Sequence, residues 1–483
     1  MSSYIPGPPT LSYWDASPLF RELCKRKLGD AAFDRIQPAL AEMGCRAAFE
    51  VAPLAAIADR EQPRLVTHDA RGERIDRVDY HPAYREMERI AYGSGMVAMK
   101  YDSMPDPDAT FTGFALGYLF AMAEMGLYCP LCMTDGVARV VSRYGTHAQI
   151  ERVVPRLASR DAATLWTGGM FLTERAGGSD VGANETIARR KHGAWRLTGH
   201  KWFCSNVDAE AVLVTARPEG AEPGTRGLRT FLLLTENNLG VRIERLKEKL
   251  GVRSMPTGEV TLDDAPAEEI GGFAAIAEMM NLSRLYNSVA AVAVMGRAIL
   301  EARSYIEQRK AFGRPVIEHP LAHDTLAELE EEHHGALLMT FEAVDALRRA
   351  DAGDEVAARL LRILIPIVKA YTGKLAVACV SEAMELIGGN GYIEESPMPR
   401  LLRDAQVLPI WEGTTNILVL DALRVARKER GHELLLDRIG GARAENLRGW
   451  YESLEERGAR RWVFALARAY GESVLGPRAS DLG

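Results

Sequence analysis

The residues most able to do chemistry stand in the stretch Pro409-Ile-Trp-Glu-Gly-Thr-Thr-Asn416. A carboxylate, Glu412, sits between a large aromatic, Trp411, and Gly413, with two hydroxyls and an amide behind it. A carboxylate in such company can be partly desolvated. Desolvation disfavours the charged form, raises the pKa and makes a better general base. The apolar pattern from Ile417 to Val425 predicts a loop opening a helix, with Thr414 or Thr415 as the N-cap. Free N–H groups at that end favour an anion. On these eight residues alone, a capped helix start with a surface glutamate is the plainer reading.

Four further stretches change that balance. Phe171-Leu-Thr-Glu-Arg-Ala-Gly-Gly-Ser-Asp-Val181 sets two hydroxyls, Thr173 and Ser179, around a glycine pair. Exposed N–H groups at such a turn can bond an electron-rich ring or a phosphate, and a plain tight turn reads the same way. His200-Lys-Trp-Phe-Cys-Ser-Asn206 suits either a stacking wall for a planar cofactor or a strand with core aromatics. In Gln308-Arg-Lys-Ala-Phe-Gly-Arg-Pro315, Arg309 could grip a pyrophosphate or simply favour a helix C-terminus. Glu385-Leu-Ile-Gly-Gly-Asn-Gly-Tyr392 is a glycine-rich helix end that allows close approach of a ligand, or only a C-cap. Arg284, within Ser283 to Asn287 on an apolar helix face, needs a partner if buried, and Glu412 is a candidate. Gly93-Ser-Gly95-Met-Val-Ala98 fits a loose dinucleotide fingerprint, but it follows a helical pattern and no βαβ unit surrounds it.

Composition bounds the function class. The chain has 483 residues, 47% of them apolar, enough for two or three folding units. A formal charge of −7 argues against a generally nucleic-acid-binding surface. Six cysteines do not make a disulfide framework and point to a reducing compartment, so a cytoplasmic location is expected. Cys129 and Cys132 form a lone C-x-x-C with no second pair, which predicts no metal site. Residues 1–6, Met-Ser-Ser-Tyr-Ile-Pro, lack the basic and apolar regions of a signal peptide. No apolar run approaches membrane-spanning length, since tracts such as Leu360 to Val368 are broken by Arg362, and no membrane span is expected.

The elements that must position these residues follow from periodicity. Leu19 to Leu28 and Ala31 to Ala47 read as helices, and Asp69 to Asp76 as a polar turn between two extended pieces with Gly72 at its tip. Helical periodicity runs from His81 to about Arg160. Between about 163 and 270, short β-branched and aromatic runs at 195–198, 211–216, 230–235, 241–246 and 258–262 predict an antiparallel sheet or barrel. Long helices follow at roughly 273–308, 321–351, 355–387 and 416–429, the pattern of a bundle. The expected divisions are therefore 1–165, an N-terminal extension and helical domain; 166–272, a central β domain; 273–430, a C-terminal helical bundle; and 431–483, a short helical tail.

Taken together and in this order, the motifs resemble those of the acyl-CoA dehydrogenase flavoprotein family, over roughly residues 80 to 430. Thr67-His-Asp-Ala-Arg-Gly-Glu-Arg-Ile-Asp76, Tyr80-His-Pro-Ala-Tyr84, Cys129-Pro-Leu-Cys-Met-Thr134, Arg245-Leu-Lys-Glu-Lys-Leu-Gly-Val-Arg-Ser254 and the Trp of Trp411-Glu-Gly are similar to its AidB-like, alkylation-response subgroup. The resemblance implies a mostly α fold with a central β domain: a helical domain, a β-barrel or sandwich, and a C-terminal four-helix bundle, assembled as a homotetramer around FAD. It implies that Thr173 and Ser179 line the flavin and that Phe203 and Ser205 pack on its isoalloxazine. Arg309 and Phe312 would reach the FAD of a neighbouring subunit. Gly388 and Gly389 would approach its pyrophosphate or adenosine part, with Thr414 and Asn416 completing that site. Glu412 falls on the family's catalytic-base position and Arg284 on the helix position facing it, so that Arg284 and Trp411 border the substrate. Glu385 stands where many members carry Gln, and Met170 where an aromatic is common.

The chemistry the resemblance implies is α,β-dehydrogenation of an acyl-CoA thioester in fatty acid metabolism. Glu412 takes the α-proton and the β-hydrogen leaves as hydride to flavin N5. The enolate oxygen then needs donors, the Glu412 backbone N–H and a flavin ribityl hydroxyl, each worth on the order of 3 kcal/mol. Electron-transfer flavoprotein or a similar acceptor would reoxidise the flavin. An oxidase would use the same residues. The rival reading is an AidB-like, flavin-bound protective or DNA-associated protein with little turnover. Against DNA binding stand the net charge and a tail in which, from Arg424 onward, twelve Lys/Arg face nine Asp/Glu.

Overall fold

The computed structural model describes residues 7–104, 106–236 and 238–475; the leader-region reading of residues 1–6 and the last residues of the tail lie outside them. In chain order the helices are α1 (Pro18–Leu28), α2 (Asp30–Arg46), α3 (Ala52–Arg60), α4 (Pro82–Gly93), α5 (Ala109–Ala121), α6 (Tyr128–Tyr144) and α7 (His147–Leu157). After a β region come α8 (Phe273–Gln308), α9 (Pro320–Asp351), α10 (Glu355–Ile387), α11 (Met398–Ala405), α12 (Thr415–Glu429), α13 (Gly431–Ile439), α14 (Gly441–Glu452) and α15 (Ala459–Leu475). The strands are β1 (Arg64–His68), β2 (Arg74–Asp79), β3 (Gly168–Phe171), β4 (Ile187–Lys191), β5 (Ala194–Ser205), β6 (Ala211–Pro218), β7 (Arg229–Leu234), β8 (Val241–Leu246) and β9 (Thr257–Gly272), with a small hairpin of β10 (Lys310–Ala311) and β11 (Arg314–Pro315).

Contacts divide the chain into two compact units. One comprises Met1–Glu50, Thr110–Ala123 and Arg284–Gly483; the other comprises Val51–Ala109 and Glu124–Ser283. The helical unit is built on α8, α9, α10 and α12. Their start and stop signals are local. Pro320 opens α9, Arg348 and Arg349 close it, and the Asp354 carboxylate accepts from the Ala357 N–H at 3.0 Å to open α10. Phe20, Phe111, Tyr118 and Phe341 pack edge-on or tilted in its core. Glu342 on α9 accepts from Lys27 of α1 and, at 2.9 Å, from Arg438 of α13. One buried carboxylate thus fastens both the N-terminal extension and the tail to the bundle.

Two helices correct the membrane reading. α8 and the stretch Glu355–Tyr392 are long and apolar enough to cross a membrane by length and composition, with window hydropathies of 1.2 and 1.7. The second apolar stretch continues past Arg362 along α10, which the sequence reading stopped short of. These windows are 83% and 78% buried inside the protein, as core helices of a bundle are.

The β region also departs from a purely antiparallel sheet. β6 pairs parallel with β3 and with β4, while β4–β5, β5–β9, β9–β7 and β7–β6 are antiparallel. These pairings close a ring of β6, β4, β5, β9 and β7, which removes the open edges of those strands. β6 can be central because its first six residues, Ala211 to Ala216, are all buried. Phe171, Leu197, Val212, Val214, Phe231, Val260 and Leu262 fill the interior. Strands β3 and β4 escaped the sequence reading. β3 is Gly-Gly-Met-Phe and β4 carries three basic residues, so neither shows the usual strand composition.

Candidate active site

The Glu412 stretch forms a tight turn between α11 and α12. The N–H groups of Ile410 and Trp411 both reach the carbonyl of Val407, at 2.9 and 3.1 Å. Glu412 then adopts a left-handed backbone, φ +58°, and Gly413 follows at φ +106°. Left-handed backbone is costly for a residue with a Cβ and collects at functional sites. Thr414 stands at the N-cap position, as expected, but its hydroxyl makes no capping bond. The buried Thr415 hydroxyl has no partner among the described residues.

The three carbonyls of this turn are all held from the bundle side. The Lys369 ammonium, on α10, donates to the carbonyls of Trp411 (2.7 Å) and Gly413 (2.6 Å). The Arg284 Nε, on α8, donates to the carbonyl of Glu412 (3.1 Å). Arg284 thereby reaches the Glu412 backbone, the Glu412 charge also acts on it, and it has an ion-pair partner on α12. Its Nη1 lies 3.1 Å from Asp421 on α12. Asp421 also accepts from Arg362 and Arg424, each at 2.7 Å. The second turn of α12 brings a carboxylate to the buried guanidinium. Burial pushes the Arg284 pKa below its ordinary value, against the opposing charges of Asp421 and Glu412. Burial also brings Lys369 down to about 7; the Glu412 charge opposes the shift and the Arg284 charge adds to it.

Trp411 donates its indole N–H to the Asn287 carbonyl oxygen, which fixes the ring against α8. The buried Asn287 Nδ2 has no partner among the described residues. Sequence reasoning missed Lys369 and Asp421. Lys369 did carry a signal: it is the only charge in Ile363-Leu-Ile-Pro-Ile-Val-Lys-Ala370, and a lysine on so apolar a helix needs acceptors.

Within the β unit a second constellation forms around Glu174. This carboxylate accepts from the N–H groups of Glu185 (2.5 Å) and Thr186 (3.1 Å), the Thr186 hydroxyl (2.5 Å) and the Lys201 ammonium (2.6 Å). Lys201 also donates to the carbonyl of Thr215 at 2.8 Å. The loop of Thr173 and Ser179 is therefore pinned to β5 and β6 from inside the barrel. The Thr173 carbonyl accepts from the Trp202 N–H at 2.9 Å, which joins this loop to the Phe203 stretch. A β-bulge between Lys201 and Cys204 breaks the strand alternation there. Trp202 carries Lys247 over its ring at 3.6 Å, whereas Phe203 is 55% exposed. The Ser205 hydroxyl lies 3.4 Å from that of Thr257, and Ser179 is exposed on its loop.

Arg309, Phe312, Gly388 and Gly389 lie near the end of α8. Arg309 ends at the β10–β11 hairpin, and Phe312 at its tip is 97% exposed with φ +51°. Gly388, at φ +74°, and Gly389 are exposed in the turn after α10. Asn390 in that turn donates to the Tyr305 hydroxyl at 2.6 Å, which ties it to α8. Asn416, on α12, accepts from Arg460 of α15 at 3.5 Å.

Comparison with known proteins finds relatives over most of the chain. Residues 271–426 match the acyl-CoA dehydrogenase C-terminal domain, 169–265 its middle domain, and 9–162 the N-terminal domain of the adaptive response protein AidB. Acyl-CoA dehydrogenase family member 11 of Caenorhabditis elegans is 38% identical over 471 residues, covering 93% of this chain and 76% of that protein. AidB of Escherichia coli (strain K12) is 34% identical over 396 residues, covering 78% and 72%. The crystal structure of Caenorhabditis elegans ACDH-11 in complex with C11-CoA superposes with a TM-score of 0.91 at 35% identity, over 98% of this chain and 89% of that one. With a helical bundle, a β-barrel and an AidB-type N-terminal region matched in order, the chain belongs to the acyl-CoA dehydrogenase family, in its AidB-like branch.

Proposed function

We propose that this protein is an FAD-dependent acyl-CoA dehydrogenase in which Glu412 is the base. The observation that carries the reading is the Glu412 turn itself: a glutamate in a left-handed conformation, its three carbonyls held by two buried cations. Such over-determined geometry is how a strained functional residue is kept in place. Glu412 would take the α-proton of the acyl thioester and its own N–H would donate to the enolate oxygen. FAD, when bound, supplies the acceptor for the β-hydride at N5. The Glu412 charge acts on both Arg284 and Lys369 and opposes the fall in basicity that burial causes in each.

The chain's residues fit the cofactor. Gly178 leaves room at the Thr173 hydroxyl that any Cβ would fill, since a Cβ there would lie 2.5 Å from Thr173 Oγ1. Phe203 offers an exposed aromatic face, and Gly388 and Gly389 have open space over their backbone. Thr173, Ser179, Phe203 and Ser205 are proposed to hold the flavin, and Arg309, Phe312, Gly388, Gly389, Thr414 and Asn416 to hold the FAD shared with a neighbouring subunit of a homotetramer. The exposed apolar residues Phe312, Leu321 and Tyr392 support such an assembly. The C11-CoA bound by the ACDH-11 neighbour supports an acyl-CoA as substrate, with electron-transfer flavoprotein or a similar acceptor as the oxidant.

The test is anaerobic titration of the yellow protein with a panel of acyl-CoAs, followed by flavin absorbance. Wild type bleaches with one class of substrate, whereas Glu412→Gln keeps FAD and does not bleach. Bleaching of that variant at the wild-type rate would remove Glu412 from the base position. The match of residues 9–162 to AidB keeps a second reading alive. A protein that holds FAD, is bleached by no acyl-CoA and binds duplex DNA with steep salt dependence would be the protective factor.

A further inference from the structure

Lys369 is a fully buried lysine, and among the described residues the hydrogen bonds of its ammonium go to the two carbonyls flanking Glu412. A trans peptide is planar, so the carbonyl of residue 411 and the N–H of residue 412 point in opposite directions. The chain contains no cis peptide among the described residues. When Lys369 takes the Trp411 carbonyl, it turns the Glu412 N–H away from α10. The same geometry at Gly413 turns the Thr414 N–H away, and Arg284 does this for the Gly413 N–H through the Glu412 carbonyl.

We propose that Lys369 is a positioning residue for the reaction: it aims and polarises the Glu412 N–H as the donor to the enolate oxygen. The inference rests on the dehydrogenase reading given above. A cation on the carbonyl of a peptide draws electron density through it and strengthens its N–H as a donor. Burial keeps solvent from screening that effect. Lysine suits the task because a compact ammonium can span two carbonyls of one turn. Two N–H groups suffice for the two carbonyls, so the clamp survives loss of the third proton. With burial bringing Lys369 down to about 7, the aiming persists in the neutral form, while the polarisation belongs to the ammonium form. No bond is made or broken at Lys369, and the proton removed from the substrate goes to Glu412.

The experiment uses FAD-loaded wild type, Lys369→Met and Lys369→Gln with two probes. An S-alkyl-CoA thioether has no carbonyl and reads binding of the CoA and chain. A 3-ketoacyl-CoA, with its acidic α-proton, binds as an enolate and reads the oxyanion donors. Lys369→Met is expected to lose on the order of 10- to 100-fold in 3-ketoacyl-CoA affinity and in kcat, with thioether affinity and KM within about twofold of wild type. Lys369→Gln keeps two N–H donors without charge and should fall between the two; it also carries the comparison alone if the Met variant does not fold. Unchanged enolate affinity in the folded variants, or an equal loss for both probes, would overturn the proposal. A wild type that neither turns over nor prefers the 3-ketoacyl probe would instead bring down the dehydrogenase reading, and this inference with it.

Discussion

Two lysines, one in each compact unit, are sealed from solvent, and each holds a loop proposed to line the chemistry. Lys201 in the barrel is 1% exposed and Lys369 in the bundle 0%. Their partners differ. Lys201 is paired with the Glu174 carboxylate and one carbonyl, whereas Lys369 is bonded to two carbonyls. Burial pushes Glu174 up, but the Lys201 charge and four donated hydrogen bonds hold it below the usual carboxylate range. Burial lowers Lys201 as well, against the pull of Glu174. Among the described residues the hydrogen bonds of Lys369 go to two carbonyls, and burial brings it down to about 7. A matched carboxylate makes a buried lysine a permanent ionic pin, while carbonyls make it a clamp with a small charge margin.

The contrast is tested most strongly by removing the pin. Glu174→Ala leaves the Lys201 ammonium buried without its counter-charge and frees the two N–H groups of Glu185 and Thr186. It is expected to lose about 3–5 kcal/mol, read as a lower denaturant midpoint. Lys201→Met combined with Glu174→Leu removes both charges and should recover much of that loss, because an apolar pair of similar volume avoids the desolvation of two ions. A Glu174→Ala protein within about 1 kcal/mol of wild type would mean that the pin does not carry the loop.

Legibility in the sequence divides along the same line. The long helices of the bundle were readable because 3.6-residue periodicity and end signals such as Asp354 and Gly388 act locally. Glu412, Thr173 and Phe203 were readable as candidates because side-chain type and neighbours suggest chemistry. The holders were not. Lys369 and Asp421 act on a turn more than forty residues away or across a helix, and Glu174 on Lys201 across a barrel, so their roles appear only when the chain is folded. The parallel pairings of β6 were hidden for the same reason: strand direction in a sheet is set by connections, which local composition does not encode.

A weaker effect separates the two lysines by pH. The folded-state pKa of Lys369 lies near 7, below the ordinary 10.5 of the unfolded chain. Between these values the unfolded chain binds more protons, so this group adds stability as pH rises through that window, and its penalty is complete below about 7. The facing charges are Glu412, which favours the protonated form, and Arg284, which opposes it. Relative to Lys369→Met, wild type should therefore gain stability between pH 7 and 10, measured as the difference in urea midpoint at each pH. Parallel midpoint curves for the two proteins would show that Lys369 keeps its proton, as a carboxylate-paired lysine does.

The smallest effect concerns the glycine in each loop, which serves a different need. At Gly413 the backbone itself demands glycine: φ is +106°, while a Cβ would find its nearest neighbour, Leu418, at an ordinary 3.5 Å. At Gly178 the backbone is unremarkable, and a Cβ would meet the Thr173 hydroxyl at 2.5 Å. Gly413→Ala should then lose about 1–2 kcal/mol in stability with flavin occupancy unchanged, because conformational strain falls on the turn. Gly178→Ala should displace a side chain that can rotate, so its stability loss is smaller and its signature is a changed flavin spectrum or occupancy. Thr173→Ala added to Gly178→Ala removes the clash and should restore stability without restoring the flavin signature. If the double variant stays as unstable as Gly178→Ala, the glycine there serves the backbone after all, and the two loops are built alike.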